Sequence, residues 1–179
     1  MDKIIQGASI VSQKNIQKTL VIFKPDAVQR GVVGEILTRF ERVGLKIIGV
    51  KMIAPTRDQF YHHYENIGKM VSRRGQHTFD VTVDFMLQGP VIAMVLEGIE
   101  AVALVRKLVG STEPKSAEVG TIRGDYAHIS FDYADSESKS TPNLIHASGD
   151  PKEAEQEIDY WFADNELCSY KVLHEKFTR

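Results

Sequence analysis

The sequence predicts an α+β fold, a ferredoxin-like split βαβ sandwich with helices packed on an antiparallel sheet, and two observations carry that expectation. Strand-like and helix-like segments alternate in the order strand, helix, strand, helix, strand, helix, strand. The second strand segment also follows its helix after the single glycine Gly44.

The first strand is KTLVIFKP, rich in β-branched and aromatic residues and stopped by Pro25, so it ends on Lys24. VVGEILTRFERVG then places Ile36, Leu37, Phe40 and Val43 at helical spacing before Gly44. LKIIGVKMIAP reads as a strand closed by Pro55, and TRDQFYHHYENI as a short helix capped by Thr56. GKMVSRRGQHT is polar and basic and reads as a loop, while DVTVDFMLQ fits strand or helix equally. PVIAMVLEG is a strand and IEAVALVRKLVG an amphipathic helix ending at Gly110. STEPKSAEVGTIRGD has the composition of an ordered loop, YAHISFDYA alternates like a last strand, and DSESKSTP is loop-like. In NLIHASGDPKEAEQE a histidine follows a short apolar run, on a tight connection leading into a helix. Asp150 caps that helix, Pro151 suits its first turn, and Glu153 completes a capping-box spacing.

With 179 residues and 42% apolar content, the chain is long enough for one full core. Residues 1–17 read as an N-terminal tail and 18–179 as a single domain. The formal charge of -2 gives no global footprint for nucleic acid, and SRRGQH is only a short basic patch without interleaved aromatics. One cysteine, Cys168, excludes an internal disulfide and fits a cytoplasmic setting. The longest apolar run, VIAMVL, is far too short to span a membrane, and the first residues lack a secretory pattern.

His146 becomes chemically interesting through its company. An imidazole is a nucleophile when one nitrogen faces the substrate and the other is held by a carboxylate or hydroxyl, and Glu157 and Ser148 are near in sequence. Lys24 at a strand end, Arg106 on a helix face, and Thr112 and Arg123 in loops are each unremarkable alone. Together with His146 they form the inventory of a phosphoryl-transfer site, with cations and a hydroxyl for phosphate oxygens and a nucleophile to accept the group. GxxxxGK[ST] and GxGxxG are both absent, so nucleotide chemistry here must use side chains.

These residues lie in segments that resemble nucleoside diphosphate kinase: FKPDAVQRGVVGEILTRFERVGLKIIGVKM, GPVIAMVLEG, TEPKSAEVGTIRGD, NLIHAS and AEQEIDYWF, in that order from about Lys18 to Tyr170. The resemblance implies a cytoplasmic ping-pong phosphotransferase. A nucleoside triphosphate phosphorylates His146, and the phosphohistidine rephosphorylates a different nucleoside diphosphate. It implies that Glu157 holds the ring with Ser148 in support, and that Lys24 contacts the transferred phosphate with Tyr64 nearby. Arg106, Thr112 and Arg123 would bind phosphates and Asn143 the ribose. Mg2+ would be held by nucleotide phosphates and water, with no protein metal site. Substrates would be ATP, GTP, ADP, GDP and their deoxy forms. A homo-oligomer is implied, a hexamer favoured over a tetramer, with Pro114 in a contact loop and ELCSYKVLHEKFTR long enough to join a hexamer contact.

The chain departs from the family pattern in three places. An insertion near 68–79 replaces the RPFF-like motif with RRGQHTF, where Phe79 is the candidate base-stacking ring and Thr78 falls at the nearest ungapped position. A second insertion lies near 130–142, and HASGD stands where many relatives have HGSD. His62 and His63, adjacent on a helix, read as surface residues, and Cys168 as half-buried. A catalytically silent nucleotide-binding scaffold is the competing reading, against which His146, Glu157, Lys24 and both arginines weigh.

Overall fold

The computed structural model describes residues 15–178. Residues 1–14 of the expected tail lie outside these, and Ile16 and Gln17 already belong to the first strand. Four strands, β1 (Ile16–Phe23), β2 (Lys46–Ile53), β3 (Val91–Ile99) and β4 (Ile145–Ala147), form one sheet in the order β2-β3-β1-β4. Every neighbouring pair is antiparallel. This is the split βαβ topology: β3 lies between β1 and β2, and β1 between β3 and β4.

Strand alternation sends side chains to both faces, and both faces are covered. Leu20 and Ile22 pack with Val91, Ala93 and Val95 on one face, and Val21 and Phe23 with Met94 and Leu96 on the other. The second face is closed by α1 (Pro25–Gln29), α2 (Val33–Arg42), α6 (Ala101–Val109) and α7 (Ile122–Tyr126), which contribute Ala27, Phe40, Val105 and Ile122 to the core. The first face carries α3 (Arg57–Tyr61), α5 (Gln76–Met86) and α9 (Pro151–Trp161), with α4 (Met70–Arg74) at its margin. The C-terminal stretch, ending in α10 (Glu175–Thr178), lies along the outer edge of β2. There the Cys168 N–H donates to the Ile48 carbonyl and the Tyr170 hydroxyl to the Ile47 carbonyl.

Local chemistry explains where the structure departs from expectation. Residues 131–134 of the supposed last strand, with the next two of the supposed loop, form the helix α8 (Phe131–Ser136), because Ser130 caps the Tyr133 N–H and Ala134 turns inward. The true fourth strand is the three-residue β4, so His146 sits within the sheet, paired with Ile22, rather than on a connection. The supposed loop at 68–78 is mostly helical: α4 and α5 meet at Gly75, whose φ of 87° suits glycine, and the ambiguous DVTVDFMLQ lies mostly in α5. TIRGD forms α7, capped by Thr121 through the Gly124 N–H. Thr56 does build a capping box with Gln59, but α3 then passes into a π-helical turn, His62–Ile67. At α9, Asp150 accepts from the Lys152 and Glu153 N–H groups, while Glu153 reaches back to the Gly149 N–H instead of Asp150. Cys168 is exposed.

Candidate active site

The antiparallel pairing of β1 and β4 brings the end of one strand beside the other, and the chemistry gathers there. His146 Nε2 is 2.7 Å from Glu157 Oε1. Glu157 projects from α9 and is 1% exposed. A carboxylate only accepts, so Nε2 carries the proton and the lone pair belongs to Nδ1. The second carboxylate oxygen accepts from Ser148 Oγ at 2.6 Å, and Ser148 is itself fixed by the Leu20 N–H at 3.1 Å. Burial, then the charges of Lys24, Arg123 and Arg106, lower His146 to about 3, so the ring is neutral near pH 7. Burial pushes Glu157 up, opposed by His63 and by the Ser148 hydrogen bond.

Lys24 directly follows β1, at the N-cap of α1, and is also buried. Its Nζ donates to Asn143 Oδ1 at 2.7 Å, and burial together with Arg123 lowers it to about 8. Asn143 Nδ2 donates to the Thr112 carbonyl at 2.8 Å. Leu144 then adopts φ of 72°, a left-handed conformation costly for a branched residue, and Asp26 holds it there by accepting its N–H at 3.0 Å. Arg123 donates to the carbonyls of Asn143, Gly110 and Ile145, at 3.3, 3.0 and 2.7 Å. Three of its five donors are thereby used in fixing the approach to β4, leaving two for a ligand.

A cleft of about 500 Å³ opens over these groups. It brings together the predicted His146, Glu157, Lys24, Tyr64, Arg106, Thr112, Arg123 and Asn143. Ser148 stands behind Glu157, fully buried. Phe79 is the exception and the expectation for it is corrected. The helical period of α5 turns it into the core with Val83 and Met86, where it is 4% exposed and meets Tyr61 edge-on, while Thr78 lines the cleft.

His63 was missed. It is 1% exposed rather than on the surface, because the π-helical turn directs both His63 and Tyr64 inward. Its ring stands edge-on to His146 at 4.5 Å, and its Nδ1 accepts from Trp161 Nε1 at 3.2 Å. Burial and the His146 ring lower it to about 3. The available signal was Trp161, whose buried N–H needs an acceptor. The Tyr64 hydroxyl and His63 Nε2 are buried without a protein partner, and both residues line the cleft. The insertions are in the cleft too: α4 and α5 line it from 70–82, and Phe131, Asp135 and Lys139 from the second insertion.

A neutral histidine held by a carboxylate beside the two buried cations Lys24 and Arg123 is the inventory of a phosphotransferase. The comparisons specify which. Residues 17–167 match the family profile described as nucleoside diphosphate kinase. The nucleoside diphosphate kinase of Borreliella burgdorferi is 44% identical, covering 87% of this chain and 93% of that protein. A transition-state mimic of the enzyme from Borrelia burgdorferi, with bound vanadate and ADP, superposes with a TM-score of 0.88 at 42% identity, covering 90% of this chain and 96% of that one. The enzyme from Halobacterium salinarum in complex with CDP gives 0.78 at 36% identity, covering 91% and 98%. The chain belongs to the nucleoside diphosphate kinase family. It is a phosphotransferase that passes the terminal phosphate of a nucleoside triphosphate to a nucleoside diphosphate by a ping-pong route. Among the described residues, no helix is long and apolar enough to cross a membrane.

Proposed function

We propose that His146 Nδ1 is the atom that carries the phosphoryl group between the two half-reactions. Support comes first from the 2.7 Å bond between His146 Nε2 and Glu157, which fixes the tautomer and leaves Nδ1 as the nucleophile. As the N–P bond forms, the bond from the terminal phosphorus to its bridging oxygen breaks, and the diphosphate leaves with that electron pair. Positive charge develops on the imidazole, and Glu157, steadied by Ser148, offsets it. Lys24, Arg106 and Arg123 offset charge on the phosphate oxygens, with Thr112 and the unpartnered Tyr64 hydroxyl as neutral donors. The second diphosphate reverses the step. Asn143 keeps one lone pair and one N–H beyond its bonds to Lys24 and Thr112, enough to meet a ribose hydroxyl.

Mg2+ enters this reading on the nucleotide, where it neutralises phosphate charge. Among the described residues, the one close group of three metal-ligating side chains is His63, His146 and Glu157. Two imidazoles and a carboxylate do not suit a cation that prefers oxygen ligands, and the group is engaged in holding the nucleophile. In this reading the phosphates and water are its ligands.

A cytoplasmic homo-oligomer, with a hexamer favoured over a tetramer, completes the proposal. The exposed free thiol of Cys168 fits a reducing compartment. Val119, in the loop after Pro114, is 92% exposed, as expected of an apolar side chain covered by another subunit. Light scattering that returned a tetramer would overturn the hexamer.

The test of the phosphohistidine uses ATP labelled in its terminal phosphate, the wild type and His146→Ala. The wild type should become labelled and pass the label to GDP, and the variant should do neither. ATP binding without labelling of the wild type would leave a nucleotide-binding scaffold in its place.

A further inference from the structure

The cleft has a phosphate end whose groups are accounted for, and a far end, built by the two insertions, whose groups are not. Resting on the kinase reading above, we infer that Phe131, carried by the inserted helix α8, is the platform on which the nucleotide base stacks.

Few rings are available for that role. Among the described residues, the aromatic and imidazole side chains lining the cleft are His63, Tyr64, His77, Phe131 and His146. His63 and Tyr64 are committed to the phosphate end, with centroids 4.5 and 6.4 Å from the His146 ring. Phe79 faces the core, and Thr78 has no ring to offer. That leaves Phe131 and His77.

Phe131 is held as a platform must be. Its N–H donates to Glu113 Oε1 at 2.8 Å, and Glu113 directly follows Thr112 of the phosphate-binding loop. The Lys115 N–H also donates to the Ile129 carbonyl at 3.2 Å, so the start of α8 and that loop are bound to each other twice. The ring is thus registered to the phosphate end by one backbone–carboxylate and one backbone–backbone hydrogen bond. Arg74 lines the cleft beside it, and its guanidinium carbon lies 5.8 Å from the ring centroid. Arg74 also acts on Lys24, lowering it by charge repulsion. The guanidinium therefore stands within electrostatic reach of the phosphate end while touching the ring. Phe131 is half-buried, which leaves ring surface open to the cleft.

The chemistry suits the reaction. A phenylalanine ring offers a π-face without hydrogen-bonding groups, so it accepts every base and reads none. The expected ligand is the base of any nucleoside di- or triphosphate, with purines favoured by their larger stacking area.

The test compares binding of ADP, CDP and inorganic pyrophosphate by calorimetry for the wild type, Phe131→Ala, Phe131→Tyr and His77→Ala. Stacking on one aromatic side chain amounts to about a tenfold loss of affinity on truncation. Phe131→Ala should weaken ADP by about that factor, CDP by less, and pyrophosphate not at all. Phe131→Tyr should bind all three as the wild type does. ADP binding unchanged in Phe131→Ala, pyrophosphate weakened by the same factor as ADP, or the purine loss appearing in His77→Ala instead would each overturn the assignment. Label transfer to His146 at saturating ATP separates the two claims. Its absence in the wild type removes the kinase reading, whereas its presence with unaltered ADP affinity in Phe131→Ala removes only the platform.

Discussion

Ser148 Oγ donates to Glu157 Oε2 at 2.6 Å while the other oxygen of that carboxylate holds His146, so one buried acid is fixed at both ends before it meets a substrate. Glu157→Gln should keep the fold but remove the charge that offsets the imidazolium, slowing phosphohistidine formation by about 10²-fold. Ser148→Ala leaves the charge in place and frees its orientation, and should cost about tenfold. Single-turnover labelling by ATP measures both. A Ser148→Ala loss as large as that of Glu157→Gln would show that the hydroxyl does more than orient.

The pH dependence should be set on its alkaline side by Lys24. Its ammonium, lowered to about 8, must be protonated to offset phosphate charge, so kcat/KM should fall as pH rises through about 8. A bound nucleotide favours the ammonium, so the corresponding limb in kcat should lie at higher pH. Lys24→Arg keeps its charge throughout and should lose the limb near 8 at the expense of a lower plateau. An unchanged limb in that variant would assign it to another group.

Acid stability follows from the two imidazoles. His63 and His146 have folded-state values of about 3 against an ordinary 6.5, so between these limits the unfolded chain binds more protons. Stability therefore rises with pH across that window and is lost as pH falls from about 6.5 toward 3. Urea unfolding at several pH values should show this slope, and His63→Phe should reduce it even though the substitution removes the acceptor of the Trp161 N–H. A slope unaltered by His63→Phe would place the titration elsewhere.

Much of this architecture was legible because pattern and neighbourhood agreed. β1, β3, α2, α6 and the start of α9 each combine a clear period with a Pro, Gly or Asp boundary, and the tertiary structure only had to bury what the period offered. The residues that gather in the cleft were legible because their types are chemically specific. Three misreadings share a different cause. YAHISFDYA alternates like a strand, yet a local cap at Ser130 and the inward Ala134 decide for helix from Phe131. Phe79 differs from Thr78 by one helical step, and that step separates core from cleft. His63 faces His146 only because a π-helical turn adds a residue to the ladder, and no short-range pattern in HHYEN marks it.

Gly124 in TIRGD gives a prediction in which sterics and function meet. A Cβ at this position would lie 2.1 Å from the Glu118 carbonyl oxygen and 2.9 Å from that of Ala117, both backbone atoms with no rotamer to change. Gly124→Ala must therefore move α7 or the preceding loop, at a cost of about 1–3 kcal/mol in stability. The neighbour on α7 is Arg123, whose bonds to Asn143, Gly110 and Ile145 span the phosphate end of the cleft. A shift of the helix should loosen that guanidinium and weaken ADP and inorganic pyrophosphate together, unlike Phe131→Ala, which should spare pyrophosphate. Urea denaturation and calorimetry on the same preparation distinguish the two effects. Full stability with wild-type affinity for pyrophosphate would mean that the loop at 117–118 yields freely and that Arg123 is held independently of it.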